Sequence, residues 1–226
     1  MRGRCDESYQ DIGGSEAGAK AGEAQEDPAL WQGRAELGLS KRPALAMYEA
    51  HLFVRVPRGG EVIALNVGSG QRPFTKPFIN IDPQEKWKPD LVADGAHLPY
   101  EASSVDLMVY SHVWEHEGCG EAIPLQREAF RVLRPGGSLI TAVPDMRALT
   151  QGWLMGRMDD ITFMISAYGA FMGNDRDRHR FGYTRQTLEQ ELMACQWREV
   201  KLFDWRQIPG MSLARDYWIL CMEAIK

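Results

Sequence analysis

Residues 65–82 read LNVGSGQRPFTKPFINID, two short apolar runs separated by Gly68-Ser69-Gly70 and closed by Asp82. An apolar run that ends on Gly-x-Gly is how many nucleotide-binding loops begin, because glycine lets backbone N–H groups come close to a carboxylate or phosphate. No third glycine follows, and Pro73 stands where a helix would start. Three helical turns need about 11 residues, which do not fit before Phe78. The stretch therefore predicts two strands joined by a connection too short for a full helix.

The same alternation continues outward. EVIALNV (61–67), FINID (78–82), DLVAD (90–94), VDLMVYS (105–111) and GSLITAV (137–143) are short apolar runs, of the kind that form strands buried on both faces of a parallel sheet. Between the last two, Ala122, Leu125, Ala129, Val132 and Leu133 share one helical stripe that ends at RPGG (134–137). Strand and helix in turn imply an α/β, doubly wound sheet. A further helix is expected from Thr184 to Cys195, and EVKLF (199–203) and YWILCMEA (217–224) supply two more strands. Residues 1–28, rich in Gly, Ala, Glu and Asp, read as a flexible arm, followed by one domain over 29–226. An amphipathic helix is expected over Pro43–Val56. Residues 143–183 form a long insertion.

Bulk properties narrow the function. A chain of 226 residues has room for one well-buried α/β domain. A net charge of −5 without a long basic run gives no electrostatic reason to expect duplex nucleic acid as a partner, and a small-molecule substrate is easier to accommodate. No apolar run approaches the ~20 residues of a membrane-spanning helix, and the N-terminal residues lack the apolar stretch of a secretory signal, so no membrane span and a cytoplasmic location are expected. Cys5, Cys119, Cys195 and Cys221 form no C-x-x-C pair, which fits idle thiols in a reducing compartment.

Three polar features fall at expected strand ends, where open parallel sheets bind ligands. Gly68-Ser69-Gly70 follows the first strand. Asp82 closes the second, where a carboxylate can accept from both hydroxyls of a ribose. Asp94-Gly95-Ala96 closes the third, where an acid can meet an exocyclic amine. Together they outline a nucleoside.

With HLPYEASSVD (97–106) and RVLRPGG (131–137) added, the chain from about 61 to 145 resembles the class I S-adenosylmethionine-dependent methyltransferases, in particular the predicted small-molecule branch similar to methyltransferase type 11. A weaker likeness runs through HRFGYT (179–184) to about 200. The resemblance implies a Rossmann-like seven-stranded sheet with its last strand antiparallel, S-adenosyl-L-methionine as cofactor and an enzyme that methylates an unidentified small acceptor. It places Asn66, Gly68, Ser69, Gly70, Asp82, Asp94, Gly95, Ala96, Ser111 and His112 around the cofactor, and makes 143–183 a helical substrate cover. Asn66 departs from the acidic residue often found there. Two alternatives keep the same nucleoside site: a cofactor-binding regulatory protein without catalysis, and an aminopropyl-type transferase.

A methyl acceptor with a hydroxyl needs a general base, and His112 and His116 in SHVWEHEG (111–118), with His179, are the candidates. The His-x-x-Glu-His spacing resembles a metal-binding motif, but that motif needs a helix, and here it follows a strand. No metal is expected.

Overall fold

The computed structural model describes residues 62–170, 175–208, 211 and 218–226. The arm at 1–28 and the helix expected over Pro43–Val56 lie outside the described residues. The described residues hold seven strands: β1 (Ala64–Val67), β2 (Phe78–Asp82), β3 (Leu91–Val92), β4 (Val105–Ser111), β5 (Leu133–Pro144), β6 (Glu199–Leu202) and β7 (Ile219–Ile225). They form one sheet in the order β3-β2-β1-β4-β5-β7-β6. β7 runs antiparallel to both neighbours, and the other pairings are parallel. The order reverses between β1 and β4, which opens the ligand crevice of a doubly wound sheet at the carboxyl ends of these two strands.

The sheet is buried on both sides because its strands alternate between two apolar layers. In β4, Met108 and Tyr110 join the layer beneath the helices, whereas Leu107 and Val109 face the opposite layer with Phe74, Phe78 and Ile140. Helix α1 (Ile123–Val132) carries a proline in its first turn and buries Leu125, Ala129 and Val132 along one stripe. The expected helix at 184–195 is α4, Arg185–Leu192, and Thr184 starts it through a reciprocal capping box with Thr187.

β5 begins earlier than the apolar run at 137–143 suggests. Gly136 takes a φ of 81°, the Arg134 guanidinium pairs with Asp106 on β4, and Gly136 N–H donates to the Lys226 carbonyl at 2.8 Å. Cross-strand bonding thus keeps RPGG in the strand. The Lys226 ammonium donates to the carbonyls of Phe130 and Leu133, a cation at the carboxyl end of α1 where exposed carbonyls favour it.

The insertion after β5 folds into α2 (Met146–Leu154) and α3 (Asp160–Tyr168), each started by an aspartate, Asp145 and Asp159, that accepts backbone N–H bonds. Leu149, Met158, Phe163 and Ala167 pack with Trp218 into a small core of their own, and Trp153 stacks on Phe163 at 4.6 Å. Leu154, Met155, Ile161, Met164, Ile165 and Tyr168 stay exposed. Among the described residues no helix is long and apolar enough to cross a membrane.

Candidate functional site at the crevice

The β1–β2 connection is a fixed loop. Gly68 and Gly70 adopt φ values of 74° and 49°, which only glycine takes readily. A side chain at Gly68 would also collide with Val113, whose Cγ2 would lie 2.5 Å from its Cβ. The loop is therefore pressed against the turn that follows β4, as the chain reversal requires. Gly70 N–H donates to Asp82 Oδ2 at 2.8 Å, and Gln84 N–H donates to Asp82 Oδ1 at 2.8 Å. Each carboxylate oxygen keeps acceptor capacity beyond these bonds.

Asn66 sits in β1 opposite Asn80 of β2, and its amide donates to Asn80 Oδ1 at 2.9 Å. Asn80 Oδ1 also accepts from Phe74 N–H, while its own amide donates to the Phe74 carbonyl and to Asp90 Oδ2. This buried network pins the short connection on both sides. Asn66, expected near the cofactor, is 1% exposed and spends its amide on the frame of the loop. The sequence holds no signal for the pair beyond two asparagines at strand positions that turn out to be partners.

Asp94 is exposed; its Oδ1 accepts from Ala96 N–H at 2.9 Å and its Oδ2 lies 3.5 Å from His97 Nδ1. Gly95 between them has no room for a side chain, since a Cβ would come 2.9 Å from Val67 Cγ1. The loop after β3 thus rests on the core near the end of β1.

At the end of β4, Ser111 is followed by His112 with a φ of 57°, a region sparsely used by residues other than glycine and asparagine and one where strain collects at functional sites. His112 Nδ1 lies 2.8 Å from Glu115 Oε1, and Glu115 is 1% exposed. Burial alone would push the Glu115 carboxyl up, but His112, with His116 and His179, outweighs it and holds the group below its ordinary value. Burial holds His179 below the ordinary histidine value, with Glu115 acting in the opposite direction. Trp114, fully buried beside Tyr110, has an indole N–H without a partner among the described residues.

His179 arrives from far along the chain. The Glu115 carbonyl accepts from Arg180 and Phe181 N–H, and His179 N–H donates to the Tyr168 carbonyl at 3.0 Å. Gly169 ends α3 with a φ of 88°, where a Cβ would fall 1.9 Å from the Asp177 carbonyl oxygen, so only glycine lets the strap 175–180 close on the helix. The ring of His179 meets that of His116 edge-on at 4.9 Å. The three histidines named from sequence are thereby brought around one buried carboxylate. Glu115 itself carried no separate signal beyond its place in SHVWEHEG.

The residues suit S-adenosylmethionine. Besides the two left-handed glycines and the Asp82 carboxylate, the Ser69 hydroxyl is buried with no hydrogen-bond partner among the described residues, an orphan polar atom in the loop where a ligand's polar end would lie. None of these residues lines the open depression of about 440 Å³ formed by Met146, Arg147, Thr150, Gln151, Leu154, Met155 and Thr184.

Solved structures with this fold include a possible exported protein from Bordetella parapertussis, at 14% identity and a TM-score of 0.51 over 73% of this chain and 61% of that one. Another is a SAM-dependent methyltransferase from Archaeoglobus fulgidus, at 16% identity and a TM-score of 0.50 over 74% of this chain and 87% of that one. The chain thus spans less than two thirds of the first of these proteins. No curated protein matches it. Residues 52–141 match the family model described as a methyltransferase domain, and the strand order with its antiparallel β7 is that of a Rossmann-like methyltransferase fold.

Proposed function

We propose that the protein transfers the methyl group of S-adenosylmethionine to a small-molecule acceptor held beyond the end of β4. The observation that carries this reading is His112, a strained residue at the first position past β4 whose ring is held by the buried Glu115 carboxylate. When bound, the cofactor supplies a methyl already activated on a positive sulfur, so the chain has to hold, align and deprotonate.

Asp82 accepts the ribose hydroxyls with the capacity its two backbone bonds leave. The exposed carboxylate of Asp94 meets the exocyclic amine of the base, with Gly95 and Ala96 giving the backbone edge beside it. Gly68, Ser69 and Gly70 take the amino-acid end, and Ser111 borders the methyl. With Nδ1–H donated to Glu115, His112 keeps Nε2 as an acceptor for the proton of an acceptor hydroxyl. The exposed apolar side chains of α2 and α3 and of Met155 just past α2, with Met164 among them, suit a cover over an apolar acceptor, and the domain that does this work runs over 29–226.

Calorimetry with S-adenosylmethionine and S-adenosylhomocysteine tests the cofactor half: wild-type protein binds both, and Asp82→Ala loses both. Absence of wild-type binding would overturn the reading. Release of S-adenosylhomocysteine across a panel of small hydroxyl and amine compounds tests the transfer. Binding without turnover on any of them would favour a regulatory protein.

A further inference from the structure

We propose that Glu115, His116 and His179 form a binding site for one divalent transition-metal ion of the zinc, cobalt and nickel type. One donor atom from each of the three lies within 4.8 Å of the others. Ligand distances of about 2.0–2.2 Å to a shared ion are reached from there by small side-chain rotations. The His-x-x-Glu-His spacing needs no helix to work here, because Trp114–His116 is a 3-10 turn and the second imidazole comes from the strap at His179 instead of from His112.

Three observations point to an ion. Among the described residues Glu115 Oε2 is buried with no hydrogen-bond partner, and a buried unpaired carboxylate oxygen is costly unless a donor or a cation meets it. The other oxygen, Oε1, is fixed by His112 at 2.8 Å, the outer contact that orients a carboxylate ligand. His116 Nδ1 meets the Arg178 carbonyl at 3.2 Å, which sets Nδ1 as the protonated nitrogen and leaves the Nε2 lone pair to bind.

Two imidazoles and one carboxylate favour a borderline ion over magnesium or calcium, which take oxygen ligands. Three protein ligands leave the sphere open, as in metal sites that bind a water or a substrate oxygen. That the open position faces an oxygen of the methyl acceptor rests on the function proposed above; the binding of the ion does not.

The test uses metal-free full-length protein. Titration with Co2+ should give visible absorption that saturates at one ion per chain, and equilibrium dialysis with Zn2+ followed by elemental analysis should give the same stoichiometry. His116→Ala and His179→Ala, both at partly exposed positions, and Glu115→Gln should each weaken binding by about tenfold or more, with circular dichroism reporting the fold. Wild-type protein that binds neither ion overturns the proposal, and so do variants that bind as wild type does. The same samples titrated with S-adenosylmethionine separate the two ideas: cofactor binding without metal sinks only the metal site, and metal binding without cofactor sinks only the methyltransferase reading.

Discussion

Two places at the carboxyl edge of the sheet bury polar side chains, and they treat them in opposite ways. In the β1–β2 connection, the amide of Asn80 is met on every side, by Asn66, Phe74 and Asp90. At the end of β4, Glu115 Oε2 and Trp114 Nε1 are buried without partners among the described residues, and His112 holds a strained backbone. A closed network fixes a unique shape, whereas orphan atoms and strain mark a place kept ready for something else. The first region is frame, and the second is where the proposed chemistry lies.

The sharpest way to break this contrast is His112→Asn. Asparagine tolerates the left-handed backbone, and its amide can still donate to Glu115, so stability should change by less than about 1 kcal/mol. Methyl transfer to a hydroxyl acceptor should fall by roughly 10²- to 10⁴-fold, read as S-adenosylhomocysteine release. A variant that keeps full activity would move the base elsewhere.

Asn80→Ala should do the reverse. It strips partners from Asn66, the Phe74 backbone and Asp90, and each buried group left unsatisfied costs about 1–3 kcal/mol. A loss of about 3 kcal/mol or more in urea unfolding is expected, and a loss under about 1 kcal/mol would mean that the network is not closed in solution. Asn66→Asp, which restores the more usual acidic residue, should cost about 2 kcal/mol, because it turns a donor facing Asn80 Oδ1 into a buried acceptor. Cofactor affinity measured by calorimetry should not improve. A gain in affinity would return Asn66 to the cofactor site.

The smallest effect is in the acid limb. The backbone N–H of Asn80, then its side-chain amide, holds Asp90 below the ordinary aspartate value. A carboxyl depressed by folding contributes stability that is fully present above its unfolded value, near pH 3.9 in reference peptides, and is lost as pH falls through the lower folded value. Asp90→Asn should flatten that part of the stability profile below about pH 4 and lower stability at neutral pH, where the carboxylate's contribution is fully present. An unchanged acid limb would show that Asp90 takes no part in it.

Much of the frame was legible. The run 105–111 is β4 as read, since a continuous apolar stretch bounded by polar residues leaves few alternatives. The absence of a helix between Gly70 and Phe78 followed from length alone. RPGG misled at the start of β5, because proline and glycine signal a break locally while Arg134, Asp106 and Lys226 bond the segment into the sheet from a distance. The candidate site was half legible for the same reason. Asp82, Asp94 and the glycines announce themselves by following strands, and His112 by following β4. The buried state of Glu115, its meeting with His179 and the engagement of Asn66 with Asn80 depend on contacts between segments far apart in sequence, which no local pattern encodes.

Trp114 gives the crevice an optical property of its own. Its indole is fully shielded from water, has no hydrogen-bond acceptor among the described residues and is the immediate neighbour of Glu115 along the chain. Such an indole fluoresces at the short-wavelength end of the tryptophan range, and its emission responds to the charge placed beside it. The difference spectrum between wild type and Trp114→Phe would therefore isolate a built-in reporter among the seven tryptophans, one that senses occupancy without any label.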